Sequence, residues 1–229
     1  MNLFDDFISL FFPKICYACG NHLFTNEHVL CTACLARLPR TYYHRDKENP
    51  LCRVFWGRVN IESAASLFYF RKGGKVQHLI HQFKYKGHQE IGIFLGELLG
   101  AEIAGYNGFG SIDRIIPVPL HEKKLRKRGF NQSEVFARGL SAAMKKELDT
   151  TSVVRTIATS TQTKKSRYKR WENVSEIFLL RHPETLAGKH ILLVDDVVTT
   201  GATMEACIHS ILQAQGSKVS IASIAFAHH

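Results

Sequence analysis

Residues 191–203, ILLVDDVVTTGAT, constrain the fold of this chain more than any other stretch. A short apolar run ends in two adjacent carboxylates, Asp195 and Asp196, and a turn follows, Thr199-Thr200-Gly201-Ala202-Thr203. Met204, Ile208, Ile211 and Leu212 then recur at helical spacing. A buried strand, a turn of hydroxyls and small residues, and a helix N-terminus are predicted in that order. Such a turn offers backbone N–H groups and threonine hydroxyls to an anion, and the helix dipole adds to the attraction. Ionised carboxylates only accept hydrogen bonds, which suits the vicinal hydroxyls of a sugar. A phosphate cradle beside a hydroxyl reader describes a site for a 5-phosphorylated ribose. Response-regulator-like and Walker-B-like sites also set acids at a strand end, around a metal. Neither needs the run of Thr, Thr, Gly and Thr.

The rest of the chain supplies the layers that a buried strand requires. Strands are read at residues 64–70 (AASLFYF), 112–118, 153–157, 177–180, 191–194 and 218–226. Val76, Leu79, Ile80 and Phe83 fall at helical spacing, as do Ile91, Leu95, Leu98, Leu99 and Ile103. A further helix is expected over 132–147, with Val135, Phe136, Leu140 and Met144 on its inner face. Strands alternating with helices imply an α/β fold with a mainly parallel sheet flanked by helices. In such sheets ligands bind beyond the carboxyl ends of the strands, where Asp195, Asp196 and the Pro117-Val118-Pro119-Leu120 stretch fall. The hydrophobic fraction of 45% is enough to cover such a sheet.

The front of the chain carries different chemistry. Cys16-Tyr17-Ala18-Cys19 and Cys31-Thr32-Ala33-Cys34 are two CxxC pairs separated by eleven residues. Each CxxC turn sets two thiolates on one side of a tight loop, and two turns complete a tetrahedral sulfur site for structural zinc. Cys52 and Cys207 stand outside this scheme, Cys207 as a small core residue of the last helix. A polar stretch, residues 41–50, reads as a linker. The expected organisation is residues 1–50 as an N-terminal helix (3–12), zinc-binding module and linker, and residues 51–229 as the main domain.

Net charge is +10, concentrated in two clusters. Lys123, Lys124, Arg126, Lys127 and Arg128 form the first; Lys164, Lys165, Arg167, Lys169 and Arg170 form the second. Arginine-containing clusters suit polyanions, pyrophosphate and nucleic acid among them. Aromatic residues accompany both, Phe130 near the first and Tyr168 and Trp171 within the second. No run of about eighteen apolar residues exists to span a membrane. The apolar N-terminus has Asp5 and Asp6 where an export signal needs basic residues, so a cytoplasmic address is expected.

Five motifs, in order, resemble the ComF (ComFC-like) family of type I phosphoribosyltransferase-like proteins. They are the four cysteines, Phe83-Lys84-Tyr85-Lys86-Gly87, residues 117–132 (PVPLHEKKLRKRGFNQ), residues 162–174 with QTKKSR at their head, and the 191–203 stretch, which looks like the signature for phosphoribosyl pyrophosphate (PRPP). The resemblance implies a type I phosphoribosyltransferase-like domain behind an N-terminal zinc module. By it, Asp195 and Asp196 would hold the ribose hydroxyls of PRPP, and Thr199, Thr200, Gly201, Ala202 and Thr203 its 5-phosphate. Leu120, His121, Arg126 and Arg128 would meet the pyrophosphate, with Mg²⁺ arriving on PRPP. Residues 131 and 132, Asn and Gln, are equally readable as caps of the following helix. Natural competence, the process tied to the family, implies a role in DNA uptake. Lys164, Lys165, Arg167, Lys169 and Arg170 would then hold single-stranded DNA, and competence-machinery proteins would be partners. The other reading is a PRPP-dependent glycosyltransferase of nucleotide metabolism or salvage. The 6-oxopurine salvage enzymes commonly set an acid where this chain has Thr199, which cannot serve as a base at neutral pH. The acceptor and any catalytic residue are therefore left unassigned by the sequence.

Overall fold

The structure is a computed structural model that describes residues 13–156 and 177–227. The helix expected at 3–12, the second basic cluster with Tyr168 and Trp171, and His228-His229 lie outside the described residues.

Five strands form one wholly parallel sheet: β1 (Ala64–Tyr69), β2 (Arg114–Pro117), β3 (Glu147–Leu148), β6 (His190–Val198) and β7 (Lys218–Phe226), in the order β1-β7-β6-β2-β3. Two short strands, β4 (Val153–Arg155) and β5 (Phe178–Leu180), pair antiparallel in a separate ribbon. The central strands are buried on both faces, which is why they read as unbroken apolar runs rather than alternating ones. One face is covered by α3 (Lys75–Tyr85), α4 (Gln89–Ile103) and α6 (Gln132–Met144), whose inner residues join Leu192 and Val194 in one apolar cluster. The other is covered by α8 (Ala202–Ile211), α2 (Pro50–Arg53) and the β4–β5 ribbon, gathered around Ile191 and Leu193. Two smaller helices, α5 (Glu122–Arg128) and α7 (Pro183–Leu186), α1 (Thr32–Arg37) in the cysteine module and one 3-10 turn (Tyr43–Arg45) complete the described elements.

The helices α4 and α6 cross closely enough to exclude side chains. A Cβ at Gly96 would sit 2.2 Å from the Phe136 carbonyl oxygen, and one at Gly139 would sit 2.1 Å from that of Ile93. Contacts this short are possible for glycine alone.

Several expectations are corrected. The helix foreseen to 147 ends at Met144, because Lys145 turns left-handed (φ 55°) and Glu147 begins β3. Strand β6 does not stop at Val194 but continues through both aspartates to Val198, paired with β7 as far as Phe226. The strands foreseen at 153–157 and 177–180 leave the parallel sheet for the ribbon. Residues 41–50, read as a linker, are packed on the body. Tyr43 and Asn49 are buried, and the Asn49 amide donates to the carbonyls of Tyr43, Asp46 and Ala64 while its oxygen caps α2. A polar side chain can be buried here because every one of its groups has a partner.

Candidate phosphoribosyl site and cysteine cluster

Strand β2 ends at Pro117 beside Val194, just before the two aspartates of β6, and residues that follow both points line the same crevice. Leaving β6, Thr199 to Thr203 curl around a polar hollow of about 40 Å³, room for a few water-sized groups. Gly201 makes this curl with φ 73° just before α8, and a Cβ there would lie 2.9 Å from the Phe55 ring. The turn is braced from outside by Arg58, which donates to the carbonyls of Val54 and Thr200 and pairs with Glu205 in the first turn of α8. The first residues of α8, Ala202 to Met204, line the hollow, and the first N–H groups of a helix have no intrahelical acceptor.

Beside it lies a cavity of about 170 Å³. Asp195, Asp196 and Thr203 form one wall, Leu120 and Arg128 another, and Lys84, Lys124 and Arg155 add three more cations. The two aspartates are held differently. Asp195 Oδ1 accepts from the Ser133 hydroxyl and from the Asp196 N–H, both at 2.8 Å. Asp196 Oδ2 meets the Lys84 ammonium at 2.8 Å, with both side chains largely buried. Burial, with the Asp196 charge behind it, pushes the Asp195 carboxyl up to about 7 despite those donors and Lys84.

That shift has a sign. A carboxyl raised in the folded chain binds its proton more tightly there than when unfolded. Its stabilisation is therefore full below about pH 4 and is lost as pH rises through about 7. The urea midpoint is expected to fall between pH 5 and pH 8, and Asp195→Asn should lessen that fall. Equal falls in the two proteins would show that Asp195 does not carry it.

Of the residues singled out in the sequence, Asp195, Asp196, Thr203, Leu120 and Arg128 converge on this cavity, and residues 199–203 form the adjoining hollow. His121 and Arg126 do not line either. His121 Nδ1 accepts from the Lys123 N–H and caps α5, and Arg126 pairs with Glu122 one turn away. Asn131 likewise caps α6, accepting from the Ser133 N–H. Phe130 packs its ring on Phe83, 5.7 Å between centres. Sequence reasoning missed Arg58, Ser133 and Arg155 and assigned no role to Lys84. Lys84 alone had a visible signal, its place in the FKYKG stretch.

At the front, the sulfurs of Cys16, Cys19, Cys31 and Cys34 all lie within 4.8 Å of one another. Those of Cys19 and Cys31 are 3.7 Å apart, too far for a disulfide at about 2.05 Å. A tetrahedron of Zn–S bonds of about 2.3 Å has edges of about 3.8 Å. The cluster is therefore compatible with structural zinc. The first pair sits on a turn closed by Gly20 N–H to Cys16 O (2.8 Å), and the second straddles the start of α1. Burial opposes ionisation of Cys16, but backbone hydrogen bonds from Cys31, Ala18 and Cys19 draw its thiol down to about 7. Cys16, Cys31 and Cys34 belong to the same apolar cluster as α3, α4 and α6, and the Tyr17 hydroxyl donates to Glu90 at 2.6 Å. Cys52 and Cys207 are buried singly elsewhere.

A parallel sheet with helices on both faces, a hydroxyl-rich turn after paired acids, and a four-cysteine front define a phosphoribosyltransferase-like protein. Residues 131–229 match the family model described as phosphoribosyl transferase domain. Along 225 residues the chain is 34% identical to the DNA utilization protein YhgH of Salmonella typhi, covering 91% of this chain and 95% of that one. With YhgH of Shigella flexneri the identity is 37% over 146 residues, 62% of this chain and 63% of that one's length. The competence protein ComFC of Bacillus subtilis is 24% identical, over 92% of this chain and 82% of its own. The chain belongs to the ComF (ComFC-like) family, with YhgH among its relatives. Among the described residues no helix is long and apolar enough to cross a membrane.

Proposed function

We propose that this protein binds PRPP, carried in with Mg²⁺, and serves the handling of DNA during uptake. The main domain, residues 51–229, holds the ligand, and one zinc ion ties the front of the chain together through Cys16, Cys19, Cys31 and Cys34. The observation that carries the reading is the pairing of two adjoining spaces of opposite chemistry. Thr199–Thr203 offer donors to a phosphate, while Asp195 and Asp196 offer acceptors to sugar hydroxyls. Lys84, Lys124, Arg128 and Arg155 around the second space supply the positive charge that a pyrophosphate needs. The role in DNA uptake rests on the names of the relatives and on the basic clusters at 123–128 and 164–170.

The test is calorimetric titration with PRPP and Mg²⁺. Thr203→Val removes a hydroxyl at the cradle, and Asp196→Asn removes a charged acceptor worth about 1.5–3 kcal/mol, so affinity should fall roughly tenfold to a hundredfold in the latter. Unchanged affinity in both variants would place the ligand elsewhere. For DNA, the affinity for a labelled single strand, read by anisotropy, should fall steeply with salt, about −0.7 in log–log slope per phosphate neutralised. Neutralising Lys164, Lys165 and Lys169 together should flatten that slope by about two units. No binding at low salt would leave the transferase reading, with a nucleotide-metabolism acceptor, in its place.

A further inference from the structure

Lys84 sets up a competition at the carboxylate cavity. It stands in the last turn of α3, and its ammonium lies 2.8 Å from Asp196 Oδ2. That oxygen is one of the acceptors assigned above to sugar hydroxyls, so hydroxyl and ammonium contend for the same atom. The three other cations of the cavity are placed differently. Among the described residues no ion pair joins Lys124, Arg128 or Arg155 to a carboxylate, and Arg128 donates instead to the Gln132 amide oxygen at 2.7 Å. Their charge is left to the cavity, while that of Lys84 is neutralised by Asp196. On its other side Lys84 borders a second space, of about 330 Å³, with Ile80, His81, Tyr85 and Val197. Packing does not clamp the side chain there, and its four-carbon stem can carry the ammonium aside without moving the helix.

We propose that Lys84 is a counter-ion switch, which neutralises Asp196 until a pyrophosphate group enters beside Lys124, Arg128 and Arg155, then turns to that group and frees Asp196 for sugar hydroxyls. This rests on the PRPP reading above and adds to it the residue that makes the site select a ribose carrying pyrophosphate. Ribose 5-phosphate alone has hydroxyls for Asp196 and nothing for the displaced ammonium. A neutral hydroxyl is a poor exchange for a cation against a largely buried carboxylate, because the carboxylate keeps its charge and loses its partner. Pyrophosphate supplies the missing anion. An ammonium has three donors in no fixed plane, so it can pass from carboxylate to phosphate oxygen through a bridged arrangement. The consequence is a coupling. Pyrophosphate and ribose 5-phosphate are both anions and would repel each other, yet each should help the other to bind, since both gain from the same movement of Lys84.

The experiment is calorimetric titration of the full chain with ribose 5-phosphate, with and without saturating magnesium pyrophosphate. In the unaltered chain pyrophosphate should tighten ribose 5-phosphate about fivefold, the equivalent of one ion pair released. Without pyrophosphate, Lys84→Met should bind ribose 5-phosphate about fivefold more tightly than the unaltered chain, and pyrophosphate should bring it no further gain. The same variant should bind PRPP roughly tenfold to a hundredfold more weakly, having lost a charged donor to the pyrophosphate. One substitution would thus move two ligands in opposite directions, which a loss of packing does not do. Asp196→Asn keeps Lys84 and removes its partner, so it too should abolish the coupling, and it decides the matter if Lys84→Met does not fold. A coupling made by magnesium bridging the two ligands would persist in both variants. That persistence, or no coupling in an unaltered chain that binds PRPP, overturns the switch and leaves the PRPP reading standing. If PRPP itself fails to bind the unaltered chain, both are overturned.

Discussion

Replacing Cys31 with Ser is expected to release one zinc ion per chain and to lower the melting temperature by roughly 10 °C or more. A structural four-thiolate site contributes on the order of 10 kcal/mol to folding, because the unfolded chain has no preformed site. The loss should not stay at the front. Cys16, Cys31, Cys34, Val29, Leu30 and Leu38 are buried in one cluster with the inner residues of α3, α4 and α6. Unravelling the module therefore exposes the apolar face it covers, and limited proteolysis should detect the change beyond residue 50. Metal analysis that finds no zinc in the unaltered protein, or a Cys31→Ser chain that melts normally, would refute the site.

Gly139→Ala is expected to destabilise the protein by about 3 kcal/mol, a fall of roughly 6–12 °C in melting temperature. On an exposed helix the same change would stabilise, by up to about 1 kcal/mol. The sign is reversed here because the new Cβ meets backbone atoms, the Ile93 carbonyl and the Glu97 nitrogen, which cannot step aside as a side chain can. Gly96→Ala should cost about as much, with its nearest contact also a carbonyl oxygen. Gly100→Ala should cost less, since its nearest neighbour, the Ala143 Cβ, lies farther off at 2.8 Å. Urea unfolding of the three variants gives the order, and a stabilised Gly139→Ala would mean that α4 and α6 pack less closely.

Much of this arrangement could be read from the residues, for identifiable reasons. The helices α3, α4 and α6 bury one face each, so their period shows in the sequence. The turn at 199–203 was legible because a phosphate cradle draws its donors from consecutive residues. The carboxylate cavity was only half legible. Its remaining walls come from Lys84, Ser133 and Arg155, on α3, α6 and β4, which no local spacing connects. The true length of β6 was hidden because two acids do not resemble strand interior. They are accommodated there by the Ser133 hydroxyl and the Lys84 ammonium, partners that exist only in the folded chain. The end of α6 was misread for a similar reason. Lys145 takes a left-handed turn usually given to Gly or Asn, and so leaves no stop signal in the sequence.

The glycine crossing bears on how the two ends of the molecule communicate. Tyr17, next to Cys16, is anchored on Glu90 in the first turn of α4, and Ser133, in the first turn of α6, anchors Asp195. Between these anchors the helices meet backbone to backbone. Ordinary helix pairs absorb small shifts by changing rotamers, and at the Gly96–Gly139 contact there are no side chains to change. It has almost no mechanical slack. A displacement of the cysteine module that tilts α4 must tilt α6 with it, and so moves the hydroxyl that steadies Asp195. The cysteine module at one end thereby bears on the tolerance to which the carboxylate at the other is held.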